Sequence, residues 1–186
     1  RLNFGGGIKQ NLAKAVGIKS GIRPDIIDAT AGLGRDSFIL ASMGSHITLI
    51  ERSQIMHDLL ADGMSKASRE GGKLSEIIAR MTLIHGDAIE ILPQTSTDVI
   101  YIDPMHPPRQ KSALVKTEMR QIRAIVGEDL DQPQLIKTAL GANCRRVALK
   151  WPAKSPLPDG LPECSHQLVG KSVRFDIFMN ANLDET

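Results

Sequence analysis

Four carboxylates occupy equivalent places in this sequence. Asp28 ends the apolar run of "DIID", Glu51 ends "HITLIE", Asp87 follows "MTLIHG", and Asp103 ends "DVIYID". Asp28 and Asp87 are followed at once by alanine, Asp103 by Pro104, and Glu51 by Arg52 and Ser53. After Asp28 comes "ATAGLGRD", in which Gly32 and Gly34 let the backbone pass close to a ligand before a helix opens at Arg35. Glu51 lies 23 residues after Asp28, and an ionised carboxylate accepts two hydrogen bonds at once, so it can take both hydroxyls of a ribose. Asp87 and the Ala88 amide offer an acceptor beside a donor. Taken singly, each feature has a plainer reading. A glycine pair makes a tight turn, Glu51 and Arg52 make a surface ion pair, and Asp87 caps a helix. Their shared order and spacing favours a common ligand over four unrelated turns.

Carboxylates so far apart in sequence converge only if their apolar runs are strands of one sheet. Asp25–Thr30, His46–Arg52, Met81–Asp87 and Asp98–Asp103 read as strands. Between them, Arg35–Gly44 reads as a helix closed by Gly44, and Ser53 caps a helix to about Arg69 that Gly71 and Gly72 break. A short helical patch surrounds Ser75, and residues 93–97 form a loop. Ser112–Val126 repeats apolar residues at helical spacing, and Asp131 with Pro133 opens a helix that Gly141 ends. "RRVALKW", "SHQLVG" and "SVRFDIFMN" supply a fifth, sixth and seventh strand. Strands alternating with helices imply right-handed crossovers, so the expected class is α/β. It is a seven-stranded, mostly parallel sheet with helices on both faces and an antiparallel hairpin at one edge. In such sheets ligands sit at the carboxyl ends of the strands, where the four acids lie.

A chain of 186 residues with 41% apolar and 24% charged residues fits one globular domain, here residues 25–186. Ahead of it, residues 1–24 carry five Lys or Arg and no acid. Residues 109–123 carry five more against Glu118 alone. Such segments suit a phosphate-bearing partner, or else form a solvated face. Cys144 and Cys164 have no zinc-type spacing, no run reaches the length of a membrane helix, and no secretory signal opens the chain, so a reducing cytoplasmic setting is expected. The start at Arg1 suggests a longer native N-terminus. Aromatics are only 3% of residues, so nucleic-acid binding would lean on Lys and Arg rather than stacking. His46, His57, His85 and His166 lack metal-ligand spacing, and no metal is expected. Trp151 is equally suited to stacking on a base and to core packing.

The order of these motifs resembles the S-adenosylmethionine-dependent methyltransferases of the Rossmann-like class. That resemblance implies a methyltransferase domain over residues 25–186, with Asp28, Ala31, Gly32, Gly34, Arg35 and Asp36 toward the methionine part. It further implies Glu51 and Arg52 at the ribose, Asp87 and Ala88 at the adenine, and Asp103 beside the reacting centre. Members that methylate exocyclic amines carry (Asp/Asn/Ser)-Pro-Pro-(aromatic) after the fourth strand. This chain has "DPMH", with Met105 for the second proline and His106 for the aromatic. The amine of a base is a poor nucleophile because its lone pair is delocalised into the ring. A turn fixed by Pro104 can aim backbone carbonyls and the Asp103 carboxylate at one NH2 group, with His106 stacked on the base.

"FGGG", "LAKAVG", "DATAGLGRD", "DPM" followed by "RQKSALVKTEM", and "VALKWP" together resemble the RsmJ family of 16S ribosomal RNA guanine-N2 methyltransferases over nearly the whole chain. The implied catalytic set is Asp103, Pro104 and His106. S-adenosylmethionine is the implied methyl donor, S-adenosylhomocysteine its product, and the N2 amine of guanine 1516 the acceptor. Free 16S RNA or the small ribosomal subunit is the expected partner, with Arg109, Lys111 and Lys116 on its phosphates and neither DNA nor membrane involved. Other readings are another nucleic-acid exocyclic amine, an inactive RNA-binding module, and a nicotinamide-dependent oxidoreductase. The last has Ser37 where its fingerprint needs a third glycine.

Overall fold

The computed structural model describes residues 8–104 and 131–180. The helix expected over Ser112–Val126, together with His106, Arg109, Lys111 and Lys116, lies outside the described residues. Within them the chain runs α1 (Ile8–Ala15), β1 (Ile26–Asp28), α2 (Arg35–Ser42), β2 (Ile47–Glu51), α3 (Gln54–Arg69), α4 (Gly72–Ile78), β3 (Met81–His85) and α5 (Ala88–Ile91). A 3-10 turn (Leu92–Gln94) leads into β4 (Ser96–Ile102), and α6 (Gln132–Gly141), β5 (Asn143–Pro152), β6 (His166–Val169) and β7 (Val173–Met179) follow. The seven strands form one sheet in the order β3-β2-β1-β4-β5-β7-β6. β1 to β5 are mutually parallel, and β7 pairs antiparallel with both β5 and β6.

Neighbouring residues on a strand point to opposite faces, and here both faces are covered. Ile26, Leu49, Tyr101 and Ala148 join Leu12 of α1, Leu40 of α2 and Leu60 of α3 in one apolar cluster. Their neighbours Ile27, Ile50, Ile100 and Leu149 join Ala88 of α5 and Ile136 of α6 in a second. Burial on both sides is why these strands read as nearly continuous apolar runs.

Three features depart most from the sequence-based expectation. β4 starts at Ser96 rather than Asp98, because Ser96 and Thr97 find partners in Asn143 and Cys144 of a β5 that also starts early. Pro93 sits inside the 3-10 turn rather than in an open loop. Helix α1 falls in a segment legible only as basic. Its Leu12 and Ala15 are fully buried, and the Arg146 guanidinium donates to the Lys14 and Ala15 carbonyls (3.3 and 3.0 Å) at its end.

Two acids are buried deeply enough to matter for stability. Asp176 of β7 is wholly inaccessible, and its two oxygens share the one Arg174 Nε–H (3.0 and 2.9 Å). Arg174 Nη1 in turn donates to the carbonyls of Pro152, Ala153 and Ser155 (2.9, 3.2 and 2.8 Å), tying the segment after β5 to the edge hairpin. Asp28, at the end of β1, accepts from the Ser37 hydroxyl (2.5 Å) and the Thr30 amide (3.1 Å). Burial pushes its pKa up from 3.8 to about 6, with the Ser37 and Thr30 bonds opposing.

Removing one member of a buried pair strands the other charge. Arg174→Leu is therefore expected to cost about 3–5 kcal/mol in chemical denaturation, and Arg174→Leu with Asp176→Leu to cost less than the single change. For Asp28, the folded chain binds the extra proton between pH 3.8 and about 6, so its contribution to stability falls as pH rises through that window. Asp28→Asn has no proton to lose. Its stability relative to the parent should rise across the window by up to about 3 kcal/mol, measured by denaturation at several pH values.

Candidate active site at the carboxyl ends of the parallel strands

The turn after β1 is built from its own polar atoms. The Asp28 carboxylate collects the Thr30 amide, the Thr30 hydroxyl and the Ser37 hydroxyl, which pins the turn to the first part of α2. Ser37, fully buried, occupies the place of a third glycine because this bond needs its hydroxyl. The Gly34 amide bonds to the Ala31 carbonyl (2.8 Å), and Gly32 and Gly34 both take positive φ (52° and 64°). At Gly34 a Cβ would also stand 3.0 Å from Leu60 Cδ1 and 3.4 Å from Leu49 Cδ2.

Glu51 joins two turns. Its Oε2 accepts from the Gly32 amide and its Oε1 from the Ser53 amide, both at 2.8 Å, and the residue is buried. Each oxygen keeps lone-pair capacity for a ligand hydroxyl. After β3, the Gly86 amide donates to the Glu51 carbonyl (3.0 Å), and a Cβ at Gly86 would lie 2.8 Å from Ile91 Cδ1. Asp87 caps α5 through the Ile89 amide (2.8 Å). The Ala88 amide opens that helix, where the helix itself supplies it no partner.

At the end of β4 the Asp103 amide donates to Thr30 Oγ1 (2.7 Å), so the first and fourth turns share one residue. The Asp103 carboxylate accepts from Lys150 Nζ (2.7 Å), and the same ammonium reaches Asp36 Oδ2 (2.7 Å). Asp36 Oδ2 also accepts from the Tyr101 hydroxyl (2.6 Å). Burial first, then the nearby Asp103 and Asp36 charges, hold the Tyr101 phenol well above its usual pKa, so it stays a neutral donor. Burial raises the Asp103 carboxyl as well, with Lys150 opposing. Burial works to lower Lys150, but Asp103 and Asp36 outweigh it and raise the ammonium above its ordinary value.

These turns surround a cavity of about 360 Å³. Asp28, Ala31, Gly32, Arg35, Asp36, Glu51, Arg52, Asp87, Ala88, Asp103 and Pro104, all singled out in the sequence, line it. Gly34 does not belong to the lining, and its part is the turn beneath. The suggested Glu51–Arg52 ion pair is replaced by one between Arg52 and Asp131 (2.6 Å), which brings the start of α6 to the same cavity. Tyr101 and the apolar Met56 and Leu135, which the sequence did not single out, also line it, as does Lys150, which the sequence places at the ligand end of the fifth strand without a role. For Lys150 the signal was its position at the carboxyl end of a fifth strand, where an otherwise apolar run admits one cation. Trp151 packs in the core, its Nε1 donating to the Pro156 carbonyl (2.9 Å). His85 bonds to the Arg52 carbonyl (3.2 Å) and contacts His57. Among the described residues no group of His, Cys, Asp or Glu is placed to hold a metal ion.

The cavity fits S-adenosylmethionine on physical grounds. Asp28, Asp36 and Asp103 bring three carboxylates to one end, with Lys150 bridging two of them, a setting that suits a ligand carrying a sulfonium and an ammonium. Glu51 and the Asp87–Ala88 pair present acceptors and a donor at the other strand ends. A family model described as "Putative SAM-dependent methyltransferase" matches residues 1–180. A ribosomal RNA small subunit methyltransferase J from Brucella anthropi is 54% identical over 183 residues, covering 98% of this chain and 89% of that protein. Its namesake from Agrobacterium fabrum is 51% identical over 179 residues, covering 96% and 86%. Among solved structures, a SAM-dependent methyltransferase from Neisseria gonorrhoeae superposes with a TM-score of 0.74 at 34% identity, covering 94% of this chain and 68% of that one. With the glycine turn, the four strand-end acids and these relatives in agreement, the chain belongs to the ribosomal RNA small subunit methyltransferase J family of S-adenosylmethionine-dependent methyltransferases.

Proposed function

We propose that this chain methylates the exocyclic N2 amine of guanine 1516 in 16S ribosomal RNA, with Asp103 as the group that receives the amine. The observation carrying this reading is the state of Asp103. Its amide is fixed by Thr30, its Oδ2 by Lys150, and its Oδ1 accepts no hydrogen bond among the described residues, in a carboxylate that borders the cavity.

S-adenosylmethionine supplies a methyl group activated by attachment to a sulfonium. The protein's work is to hold the acceptor nitrogen in line with that methyl. Asp103 Oδ1 accepts one N2–H bond, which turns the nitrogen lone pair out of conjugation and toward the methyl. As the N–C bond forms, the C–S pair returns to sulfur and positive charge appears on N2. The N2 proton then becomes acidic and passes to Asp103 Oδ1 and from there to water, so Asp103 need not be a strong base. Pro104 fixes the direction of the turn, and His106 stacks on the guanine ring.

Glu51 and Arg52 hold the ribose in this reading, Asp87 and Ala88 face the adenine, and Asp28, Asp36 and the Ala31–Gly32 backbone border the methionine part. Gly34 and Arg35 shape the start of α2. A guanine amine inside a stacked helix cannot reach the turn, so the base is flipped out or already exposed. Arg109, Lys111 and Lys116 then contact the flanking phosphates, in free 16S RNA or in the small subunit. No helix of the described residues is long and apolar enough to cross a membrane, and we place the reaction in the cytoplasm.

The test is transfer of labelled methyl to small-subunit RNA lacking the modification, with the product nucleoside identified by mass spectrometry. Asp103→Ala should lower kcat by about 10²-fold or more while calorimetric affinity for S-adenosylhomocysteine holds within about threefold. Glu51→Ala should do the reverse, weakening that affinity by about 1–3 kcal/mol.

A further inference from the structure

We infer that Lys150 is a positioning residue for methyl transfer, holding the Asp103 carboxylate ionised and fixing one of its oxygens so that the other is left for the substrate amine. The inference rests on the role proposed above for Asp103. Its basis is a chain of contacts on three elements. Lys150 Nζ, on β5, lies 2.7 Å from Asp103 Oδ2 after β4 and 2.7 Å from Asp36 Oδ2 on α2. The Lys150 side chain is 17% exposed and that of Asp103 37%, so water screens the ion pair only in part. Asp36 is itself held by the Tyr101 hydroxyl, giving the ammonium a fixed second anchor.

A single bond from a flexible lysine would leave Asp103 free to turn. Two carboxylates on one ammonium, one of them tied to a buried phenol, define where Oδ2 must sit. The Asp103 amide bond to Thr30 fixes the backbone end of the same residue. Among the described residues, Oδ1 is left as the remaining acceptor.

Electrostatics give Lys150 a second task. Asp103 is faced by Lys150 from β5, Asp36 from α2, Asp28 from the end of β1 and Tyr101 from its own strand, with Arg35 and Glu51 lining the same cavity. Without the ammonium, two carboxylates that now share it would stand side by side, and one would hold a proton. A protonated Asp103 can present an O–H donor where the amine needs the Oδ1 acceptor, and it no longer offsets the charge arriving on N2. Arginine can keep the charge but not the compact point contact with both acids.

Two readings separate positioning from a merely structural role. One is the pH profile of kcat, and the other is the Asp103 titration followed by carboxylate 13C NMR on the full chain. In Lys150→Met, kcat should fall by about 10²-fold, and the acid limb of the profile and the Asp103 midpoint should both rise by about one pH unit or more. Affinity for S-adenosylhomocysteine should change by less than about fivefold. Lys150→Arg should keep the parental acid limb and recover part of kcat, and it supplies the same two measurements if the Met variant fails to fold. The inference is overturned if the Met variant keeps the parental limb and midpoint, or if the Arg variant shifts them as far as loss of charge would. The NMR titration needs no RNA, so a parent inactive on every guanine would sink the proposed function and leave this test standing.

Discussion

Each parallel strand that ends at the site meets the same difficulty. Beyond the last ladder bond the backbone turns away from the sheet, and its amides need acceptors that the neighbouring strands no longer provide. Acids solve this at three of the four turns. Asp28 takes the Thr30 amide, Glu51 takes the Gly32 and Ser53 amides, and Asp87 takes the Ile89 amide. The fourth turn borrows Thr30 Oγ1 for the Asp103 amide, which leaves the Asp103 carboxylate for other work. The turns are thus stitched to one another as well as to the sheet, and the cavity keeps its shape because its walls share residues.

That arrangement sets a tension between stability and function. Three acids crowd one end of the cavity, and burial raises two of them, Asp28 to about 6 and Asp103 above its usual value. Lys150 relieves Asp103 and Asp36, whereas among the described residues Asp28 has only neutral donors. A cationic ligand is the natural complement of such a site.

Much of this was legible from residue types alone. The strand-end acids, the glycine turn and the alternation of strands with helices follow from period and turn chemistry, which are local properties. The edge hairpin followed from the missing helix between "SHQLVG" and "SVRFDIFMN". What escaped notice depends on contacts between distant segments. Lys150 becomes significant only when β5 lies beside β4, Arg52 finds Asp131 across 79 residues, and α1 is a helix chiefly because the sheet buries Leu12 and Ala15. Glu51 was legible as a strand-end acid but not as the tie between two turns, because nothing local marks Gly32 as its donor.

The central claim is that this chain places one methyl group on one guanine amine of small-subunit RNA. Mass spectrometry of 16S RNA from cells lacking the protein tests it most directly. A single N2-methylguanosine should be missing, at position 1516, and should return when the parent chain is restored but not when the Asp103→Ala form is. An unchanged set of methylated guanines in those cells, or loss of a methyl from another base, would contradict it.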